Sequence, residues 1–255
     1  MPYRHLSLEL NGAVATLRLN RPPANLLDVD MVEQLNEALS SLRTQHTLEV
    51  LIIRGAPDCF SDGFDLDQIV LPRTQRLIHV YMRLFESLRM MDLIQIAAVE
   101  GRALGAGFEI ALGCNLFIAA DDATFALPET GYGIFPPIAT GILPRIAPRR
   151  KAMEWILTGN PITAAELHHH GVINRLLPAP AFDDGLSSFV ADLISKSGPV
   201  LALAKRAQFE AYYSTFPEAM SRATSLFLRD LMDLEDSAEG LAARREGRQP
   251  KWKQQ

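Results

Sequence analysis

Cysteine is scarce in this sequence, with two, Cys59 and Cys114, among 255 residues. A disulfide framework needs several cysteine pairs, so the chain is not a small secreted domain held together by disulfides. Long apolar runs are lacking too, and the chain does not open on a basic segment followed by an apolar run. We therefore expect a cytoplasmic protein with reduced thiols, no membrane segment and no cleavable signal.

Positive charge is not in excess, since 25 Lys and Arg stand against 30 Asp and Glu, a formal net charge of −5. Proteins that bind nucleic acids usually carry clustered Lys and Arg, so we expect no nucleic-acid partner. Apolar residues make up 48% of the chain, which suffices for one large core without metals or disulfides. On a helix, the three rings of His168, His169 and His170 point about 100° apart, so we expect no metal site there.

The first part of the chain predicts strands and helices in alternation. Leu6–Leu10 and Val14–Leu19 carry alternating apolar residues around Asn11-Gly12, a pattern typical of a β-hairpin. Asp28 is suited to cap a helix over Val29–Leu42, whose apolar residues recur at helical spacing. Uninterrupted apolar runs of strand length are typical of strands that are buried on both faces. Three such runs are present: Val50–Ile53, Ile96–Val99 and Leu116–Ala120.

This order of elements predicts an α/β fold with a mostly parallel sheet. After Pro148 the sequence predicts a series of helices instead. They are expected over Lys151–Leu157, Ala164–His170, Phe182–Lys196, Pro199–Ser214, Pro217–Asp233 and Ser237–Gly247. We accordingly divide the chain into a core domain over residues 1–195 and a C-terminal helical region over residues 196–255.

Glycine-rich loops follow two of the predicted buried strands. Residues 59–66 come after Val50–Ile53, and residues 101–109 lie between Ile96–Val99 and a helix. In a parallel sheet such loops gather at the carboxyl edge of the strands, where ligands bind. Glycine lets backbone N–H groups approach a ligand, and two converging N–H groups, one at a helix N-terminus, stabilise a developing oxyanion. Either loop alone is also typical of an ordinary strand-to-helix turn.

A set of segments in fixed order makes the pattern specific. Residues 5 to about 178 resemble the enoyl-CoA hydratase/isomerase family, also called the crotonase family. The matching segments are Pro23–Asp28, Phe60–Leu66, Gly101–Ala111, Ala123–Glu129, and Leu157–Gly159 with Ala164–Glu166 leading to Gly171–Ile173. Glu239-Gly240, near the C-terminus, fits the family pattern as well.

The resemblance implies a fold, an assembly and a chemistry. It implies a spiral of ββα units with a mostly parallel sheet and a helical C-terminal region that forms homotrimers, commonly paired into hexamers. The implied reaction is the reversible hydration of the C2=C3 double bond of an enoyl-CoA thioester, through a thioester enolate held in a backbone oxyanion hole. Coenzyme A is part of this acyl-CoA substrate, so no separate cofactor is expected.

The resemblance also implies roles for individual residues. The N–H groups of Asp62 and Ala106 are expected to form the oxyanion hole. Two carboxyls in one apolar site do not both ionise easily, so we expect Glu109 to activate water and Glu129 to protonate C2. Coenzyme A is expected to run along Ala24, Asn25 and Leu26, and along Gly63, Phe64, Asp65 and Leu66.

Departures from the family pattern leave other functions open. Asp62 stands where a small residue is usual, and Phe135–Ala139 carries a second proline, which predicts a differently shaped acyl pocket. Residues 24–28 and Gly133–Pro136 look similar to cyclic dienoyl-CoA hydratases, so a cyclic substrate is one alternative. An enoyl-CoA isomerase or decarboxylase is another, although these usually lose one of the two glutamates. A non-catalytic acyl-CoA-binding homologue is the third.

Overall fold

The computed structural model describes residues 3–253, and strands alternate with helices along most of them. The strands are β1 (Leu6–Asn11), β2 (Val14–Leu19), β3 (Val50–Arg54), β4 (Cys59–Ser61), β5 (Ile94–Val99), β6 (Arg102–Leu104), β7 (Leu116–Ala120), β8 (Thr124–Ala126), β9 (Ile162–Thr163) and β10 (Arg175–Leu177). The helices are α1 (Val29–Leu42), α2 (Arg73–Met90), α3 (Ala106–Gly113), α4 (Ala139–Ile146), α5 (Arg149–Thr158), α6 (Ala164–His169), α7 (Phe182–Ile194), α8 (Gly198–Tyr212), α9 (Phe216–Ser225) and α10 (Glu235–Glu246). Short 3₁₀ turns cover Leu66–Gln68, Pro128–Tyr132 and Ala179–Ala181, and a π-helical segment covers Leu226–Leu231.

These strands form two sheets. β1, β2, β3, β5, β7 and β10 lie side by side in that order in a six-stranded sheet. β4, β6, β8 and β9 form a separate four-stranded sheet. Within the described part of the chain, β1 pairs with β2 and β8 with β9 in antiparallel fashion, and the other pairs are parallel. The predicted α/β fold with a mostly parallel sheet is confirmed.

A repeated ββα unit generates both sheets. β3, β4 and α2 make the first unit, β5, β6 and α3 the second, and β7, β8 and α4 the third. In each unit the first strand joins the large sheet and the second strand joins the small sheet. The chain therefore follows the spiral of ββα units that the resemblance implies. Because β4, β6 and β8 are parallel, the segments that follow them leave the small sheet at the same edge.

The N-terminal elements match the sequence prediction, and the structure adds short elements that were not expected. The hairpin pairs Leu6 with Leu19, and Asp28 accepts a hydrogen bond from a first-turn N–H group of α1 at 2.8 Å. Residues 59–66 and 101–109, interpreted as loops, contain β4 and β6. Each of these strands has three residues, so no alternation of apolar and polar residues marks them.

Helix α2 has its apolar residues on one face, at spacings of three, four and one, as an amphipathic helix requires. The buried residues of that face are Leu77, Val80, Tyr81, Leu84 and Leu88. Asn36 of α1 donates a hydrogen bond from Nδ2 to the Val80 carbonyl oxygen at 3.0 Å. This bond joins α1 to α2 next to Tyr81, whose side chain reaches α3 through the core.

An aromatic cluster anchors α3 against both sheets. Phe108 of α3 lies 5.1 Å from Phe125 of β8 and 6.2 Å from Phe117 of β7, measured between ring centroids. Phe117 and Phe125 meet edge to face at 5.6 Å, a favourable geometry for aromatic pairs. All three rings are buried. The helix that carries Glu109 is therefore held at a fixed position between the small sheet and the large sheet.

The C-terminal helices are tied to the rest of the chain by specific hydrogen bonds. Lys205 of α8 donates to the Leu93 carbonyl oxygen at 2.9 Å, and the Trp252 indole N–H donates to the Ser195 carbonyl oxygen at 2.7 Å. The predicted helix Pro217–Asp233 is divided into α9 and the π-helical segment. The boundary at residue 195 falls between α7 and α8, and a division into two domains there stays a prediction.

Membrane-spanning character is weak in the described helices. No single helix within residues 3–253 has the length and apolarity to cross a membrane. One pair, Ala179–Ile194 and Gly198–Tyr212, meets both requirements only when its members are taken together, and they meet at a bend of 95°.

Candidate active site

Glu109 is carried by α3 and has no solvent exposure. Its Oε1 atom accepts hydrogen bonds from the backbone N–H groups of Ile138 and Ala139, at 2.7 Å each. Its Oε2 atom lies 3.0 Å from the Tyr81 hydroxyl oxygen. The two N–H groups belong to the start of α4, where a helix leaves donors without intrahelical partners and favours negative charge. The start of α4 thus compensates a carboxyl group that is buried in an apolar core.

Glu129 comes from the third ββα unit, in the 3₁₀ turn Pro128–Tyr132, and is 4% exposed. Its Oε1 atom lies against Gly105, where an added Cβ would be 2.5 Å away. Gly105 has a φ of +50°, so this position requires glycine both for its backbone and for the space beside the carboxyl. Within residues 3–253, no donor lies within hydrogen-bonding distance of Glu129 Oε2, a buried oxygen.

Burial controls the proton affinity of both carboxyl groups. It raises the pKa of Glu109 to about 7, against the opposing effect of the Ala139 and Ile138 N–H groups, and the charge of Glu129 adds to the rise. Burial also raises the pKa of Glu129 to about 7. The surroundings differ, because three donors point at Glu109 and none reaches Oε2 of Glu129 in the described chain. Three hydrogen bonds therefore oppose the rise at Glu109, whereas only the residue's own backbone N–H group opposes it at Glu129.

The N-terminus of α3 supplies a free backbone donor. Ala106 is the first residue of this helix, so its N–H group has no partner inside the helix. Elsewhere in residues 3–253 no backbone or side-chain acceptor pairs with it. Gly107 lies against Ser61, because an added Cβ would be 2.5 Å from the Ser61 carbonyl oxygen. This close approach brings the start of α3 to the segment that follows β4.

The geometry of Asp62 does not fit the oxyanion-hole assignment made from the sequence. Its N–H group already donates to the Ala24 carbonyl oxygen at 2.9 Å. Its carboxylate forms a two-pronged ion pair with Arg102, at 2.6 Å to Nε and 2.9 Å to Nη2. The backbone donor of Asp62 therefore stabilises the loop, and its negative charge is balanced by Arg102.

The second free N–H group of the site belongs to Phe64. It forms a parallel β-bridge with Leu27, whose N–H donates to the Gly63 carbonyl oxygen at 2.8 Å and whose carbonyl accepts from the Asp65 N–H at 3.0 Å. In such a bridge the polar groups of the middle residue point to the opposite edge. No acceptor in the described chain pairs with the Phe64 N–H. The segment runs beside α3, since an added Cβ on Gly63 would lie 3.2 Å from the Ala106 nitrogen.

The structure brings most of the predicted coenzyme A residues to one cavity of about 300 Å³. Glu129 and Gly105 line the same cavity. The predicted residues that line it are Leu26, Gly63, Phe64, Asp65 and Leu66. Arg21 holds the two segments together, because it donates to the Leu26 carbonyl oxygen at 2.7 Å and pairs with Asp65 at 3.0 Å.

Ala24 and Asn25 do not line this cavity and instead hold the loop together. Asn25 is 3% exposed and has a φ of +47°, a conformation that asparagine tolerates better than most residues. Its side-chain amide donates to the Phe60 carbonyl oxygen at 3.0 Å and accepts from the Arg21 N–H at 2.7 Å. Their predicted contact with coenzyme A stays a prediction.

A larger cavity of about 760 Å³ lies elsewhere, between the end of α2 and helices α8 and α9. Lys205 lines it, and burial lowers the pKa of this ammonium group to about 8. We place the candidate active site in the smaller cavity, because that one is lined by a buried carboxyl and lies beside two free N–H groups. Residues 3–253 contain no group of three His, Cys, Asp or Glu side chains placed to hold a metal ion.

Four groups at this site have no sequence motif that marks them as functional. They are the hydroxyl of Tyr81 and the N–H groups of Phe64, Ile138 and Ala139. A backbone N–H is present at almost every residue, so only the fold selects the ones that converge. The one available signal is Pro136-Pro137, since a helix that starts after two prolines exposes its first N–H groups. In the sequence, these prolines predicted only a differently shaped acyl pocket.

The chain is similar to known proteins over nearly its whole length. A family model described as enoyl-CoA hydratase/isomerase matches residues 9–255. A probable enoyl-CoA hydratase of Mycobacterium leprae is 33% identical over 258 residues, which cover 99% of this chain and 99% of that protein. A carnitinyl-CoA dehydratase of Escherichia coli is 32% identical over 257 residues, 97% of this chain and 98% of that protein. The crystal structure of an enoyl-CoA hydratase from Bacillus anthracis has a TM-score of 0.94 at 26% identity, and covers 99% of this chain and 100% of that chain.

The raised pKa of Glu129 predicts how stability depends on pH. A carboxyl whose pKa rises from 4.5 in the unfolded chain to about 7 in the folded chain binds its proton more tightly when folded, so stability falls as pH rises through this window. We expect Glu129→Gln to raise the free energy of unfolding at pH 8 by about 1–3 kcal/mol. Near pH 4 the substitution should have little effect. Urea unfolding at both pH values measures this difference.

Glu239 provides a matched control of opposite sign. Its hydrogen bonds with Arg248 lower the pKa of its carboxyl to about 2, so it stabilises the fold above pH 4.5 and loses this effect in acid. Glu239→Gln should therefore lower stability at pH 8. If Glu129→Gln also lowered stability at pH 8, burial would not be the dominant influence on its proton affinity.

Proposed function

The chain belongs to the enoyl-CoA hydratase/isomerase family, and we propose that it catalyses the reversible hydration of the C2=C3 double bond of an enoyl-CoA thioester. The observation that carries the proposal is the pair of buried carboxyls, Glu109 and Glu129, near the unpaired N–H groups of Phe64 and Ala106. Hydration needs a base for water, an acid for C2 and donors for an enolate oxygen. This set of groups supplies all three.

The thioester carbonyl oxygen accepts hydrogen bonds from the Phe64 and Ala106 N–H groups. Ala106 supports this role because it begins α3, where the helix dipole favours negative charge. Phe64 replaces Asp62 as the donor from the first loop, because the Asp62 N–H is already bonded. Neither donor has to break a protein hydrogen bond in order to bind the enolate, so the hole is organised before the substrate arrives.

Water is activated by Glu109 in its ionised form. As the water oxygen bonds to C3, one of its protons passes to Glu109 and the π electrons of the double bond move onto the thioester oxygen. The enolate then collapses, and C2 takes the proton of Glu129. Glu109 ends the cycle protonated and Glu129 ionised, so exchange of one proton with solvent restores the starting pair. A pKa of about 7 for both groups suits this exchange at neutral pH.

The substrate class follows from the family and from the lining of the site. Coenzyme A runs along Leu26 and residues 63–66, which line one cavity together with Glu129. The acyl group extends toward Glu129 and Glu109. The chain itself supplies the base, the acid and the donors, so the reaction requires no separate cofactor. The two free cysteines, Cys59 and Cys114, support a reducing compartment such as the cytoplasm.

Retention of both carboxyls favours hydration over the other reactions of this scaffold. A double-bond isomerase moves a proton and needs one shuttling residue, and a decarboxylase needs the oxyanion hole and one source of a proton for the enolate. Burial of a carboxyl is unfavourable unless donors compensate it, and here the Ile138 and Ala139 N–H groups supply that compensation to Glu109. A second positioned carboxyl has a use when water is added, because the proton removed and the proton delivered are different ones.

Both glutamates are expected to be required for turnover. Glu109→Gln and Glu129→Gln should each lower kcat by about 10²–10⁴-fold on linear and cyclic unsaturated acyl-CoA thioesters, with binding largely retained. The double substitution should cost less than the product of the two single effects, because both groups act on one addition. Loss of the conjugated thioester absorbance measures the rate.

Isotope incorporation separates hydration from the alternatives. We expect ¹⁸O from labelled water at C3 and ²H from heavy water at C2. Deuterium at C2 without ¹⁸O at C3, for every thioester in the panel, would indicate an enzyme that forms enolates without adding water. Binding of thioesters without either label would indicate a non-catalytic homologue.

The oxyanion hole can be tested at Ala106 by removing only its N–H group. Proline is tolerated at the first position of a helix, so Ala106→Pro should retain α3 while deleting the donor, and kcat should fall by on the order of 10²-fold. Ala106→Gly keeps the donor and should stay within about threefold of the wild type. Equal activity of the proline and glycine variants would remove Ala106 from the hole. Circular dichroism checks that both variants are folded.

We further propose that the chain assembles as a homotrimer or a hexamer of two trimers, supported by exposed apolar residues after α8. Phe216 is 78% exposed, Leu228 63% and Phe227 54%, which is unusual for large apolar side chains of a monomer. Light scattering should give three or six times the chain mass of 28.2 kDa.

Negative charge introduced among these exposed apolar residues should dissociate the assembly. Phe216→Glu with Leu228→Glu should lower the mass toward that of one chain, whereas Leu10→Glu, on the 53% exposed Leu10 of β1, should leave it unchanged. A wild-type monomer at micromolar concentration would exclude the assembly.

A further inference from the structure

Tyr81 contacts both parts of the proposed catalytic machinery. Its hydroxyl oxygen lies 3.0 Å from Glu109 Oε2 and 2.8 Å from the Ala106 carbonyl oxygen. Its ring meets the Phe64 ring edge to face at 4.8 Å. The side chain is fully buried on α2, so no solvent competes for these hydrogen bonds. One phenol therefore joins the carboxyl of Glu109 to the residues whose N–H groups form the proposed hole.

The Tyr81 hydroxyl cannot donate to Glu109 Oε2 and to the Ala106 carbonyl oxygen at the same time. A tyrosine hydroxyl has one proton to donate, and it also accepts. While Glu109 is ionised, its Oε2 atom and the Ala106 carbonyl oxygen compete for that proton, and the charged oxygen forms the stronger bond. When Glu109 takes up a proton, the competition ends, because a protonated Oε2 becomes a donor.

The other oxygen of Glu109 determines where the new proton is placed. Oε1 already accepts from the Ile138 and Ala139 N–H groups at 2.7 Å each, so a proton there would face two donors. The proton therefore belongs on Oε2, beside Tyr81. In that state Oε2–H donates to the tyrosine oxygen while the tyrosine hydroxyl donates to the Ala106 carbonyl oxygen. In both protonation states Tyr81 and Glu109 Oε2 therefore share a hydrogen bond.

We propose that Tyr81 is a positioning residue that holds Glu109 through both of its protonation states, with the hydroxyl donating to ionised Glu109 and turning to the Ala106 carbonyl when Glu109 is protonated. The catalytic consequence rests on the proposed hydration, in which Glu109 takes a proton from water. The exchange requires only rotation of O–H groups, and neither side chain has to move. Glu109 thus stays in place while its charge changes during the reaction.

The surroundings of Tyr81 suit this role. Burial, followed by the charge of Glu109, the hydrogen bond with it and the charge of Glu129, raises the pKa of the phenol well above its ordinary value of 10.0. The hydroxyl consequently keeps its proton throughout the pH range of the reaction. The ring is held from both sides, by Phe64 at 4.8 Å and by Phe85 at 5.0 Å, so its oxygen has a fixed position.

The test is Tyr81→Phe, which keeps the ring and removes only the hydroxyl. We expect kcat for hydration of trans-2-butenoyl-CoA, or of the best thioester in the panel, to fall by about 10-fold with KM within about threefold. Loss of a donor to the ionised form should raise the pKa of Glu109. The acidic limb of the kcat/KM profile should then move to higher pH by about half a unit to one unit. Tyr3→Phe, a partly buried tyrosine that packs against the core, serves as the control and should change neither quantity.

A second measurement decides the proposal without any turnover. Titration of δ-¹³C-glutamate by NMR, with the Glu109 signal assigned by its loss in Glu109→Gln, reports the pKa of Glu109 in the unliganded protein. The titration faces two ionisable neighbours, Tyr81 from α2 and Glu129 from the 3₁₀ turn, so Glu129→Gln is titrated in parallel. An upward shift in Tyr81→Phe that persists in the Glu129→Gln background supports the role.

An unchanged pKa of Glu109 in Tyr81→Phe would overturn the proposal. So would a lower kcat that comes with a lower melting temperature and an unmoved pH profile, because Tyr81 would then be a packing residue. If the wild type hydrates no thioester, the hydration proposal fails, and the NMR titration still decides whether Tyr81 holds Glu109.

Discussion

Two consecutive backbone N–H groups, those of Ile138 and Ala139, point at the Oε1 atom of a glutamate that has no solvent exposure. A buried carboxyl is unfavourable unless donors replace the water it has lost. The donors here belong to the first turn of α4, while Glu109 belongs to α3. The contact therefore fixes the third ββα unit against the second. Glu129, in contrast, has no donor at its Oε2 atom in the described chain.

The other half of the site depends on close contact between backbones. Gly107 lies against the Ser61 backbone at a separation too short for a Cβ, and Gly63, with a φ of +94°, lies beside the Ala106 nitrogen. These contacts bring the start of α3 beside the segment after β4, where the Phe64 and Ala106 N–H groups are left without acceptors in the described chain. In the proposed mechanism, side chains provide the acid and base, whereas the backbone provides the groups that bind the developing charge.

The sequence predicted the larger elements and the side chains of the site, but not the backbone groups. The hairpin from Leu6 to Leu19, the Asp28 cap and the buried strands carry patterns that can be recognised directly. The strands of the small sheet carry no such pattern, because β4, β6 and β8 have three residues each. Asp62 illustrates the same limit: its place in the glycine-rich loop suggested a hole donor, yet its N–H bonds to Ala24. Which N–H in a loop is free depends on neighbours that are distant in sequence.

The proposed functional groups of the site come from three successive turns of the spiral. Phe64 follows β4 of the first unit, Ala106 and Glu109 follow β6 of the second, and Glu129 follows β8 of the third. In the proposed mechanism the first two units bind the thioester oxygen, and residues 133–137 of the third unit, of which Ile134 lines the cavity, border the acyl group. A change confined to residues 133–137 leaves Glu129 and the donors to Glu109 in place. Such a change can alter which thioesters are accepted while the groups that stabilise the enolate and move its protons are preserved.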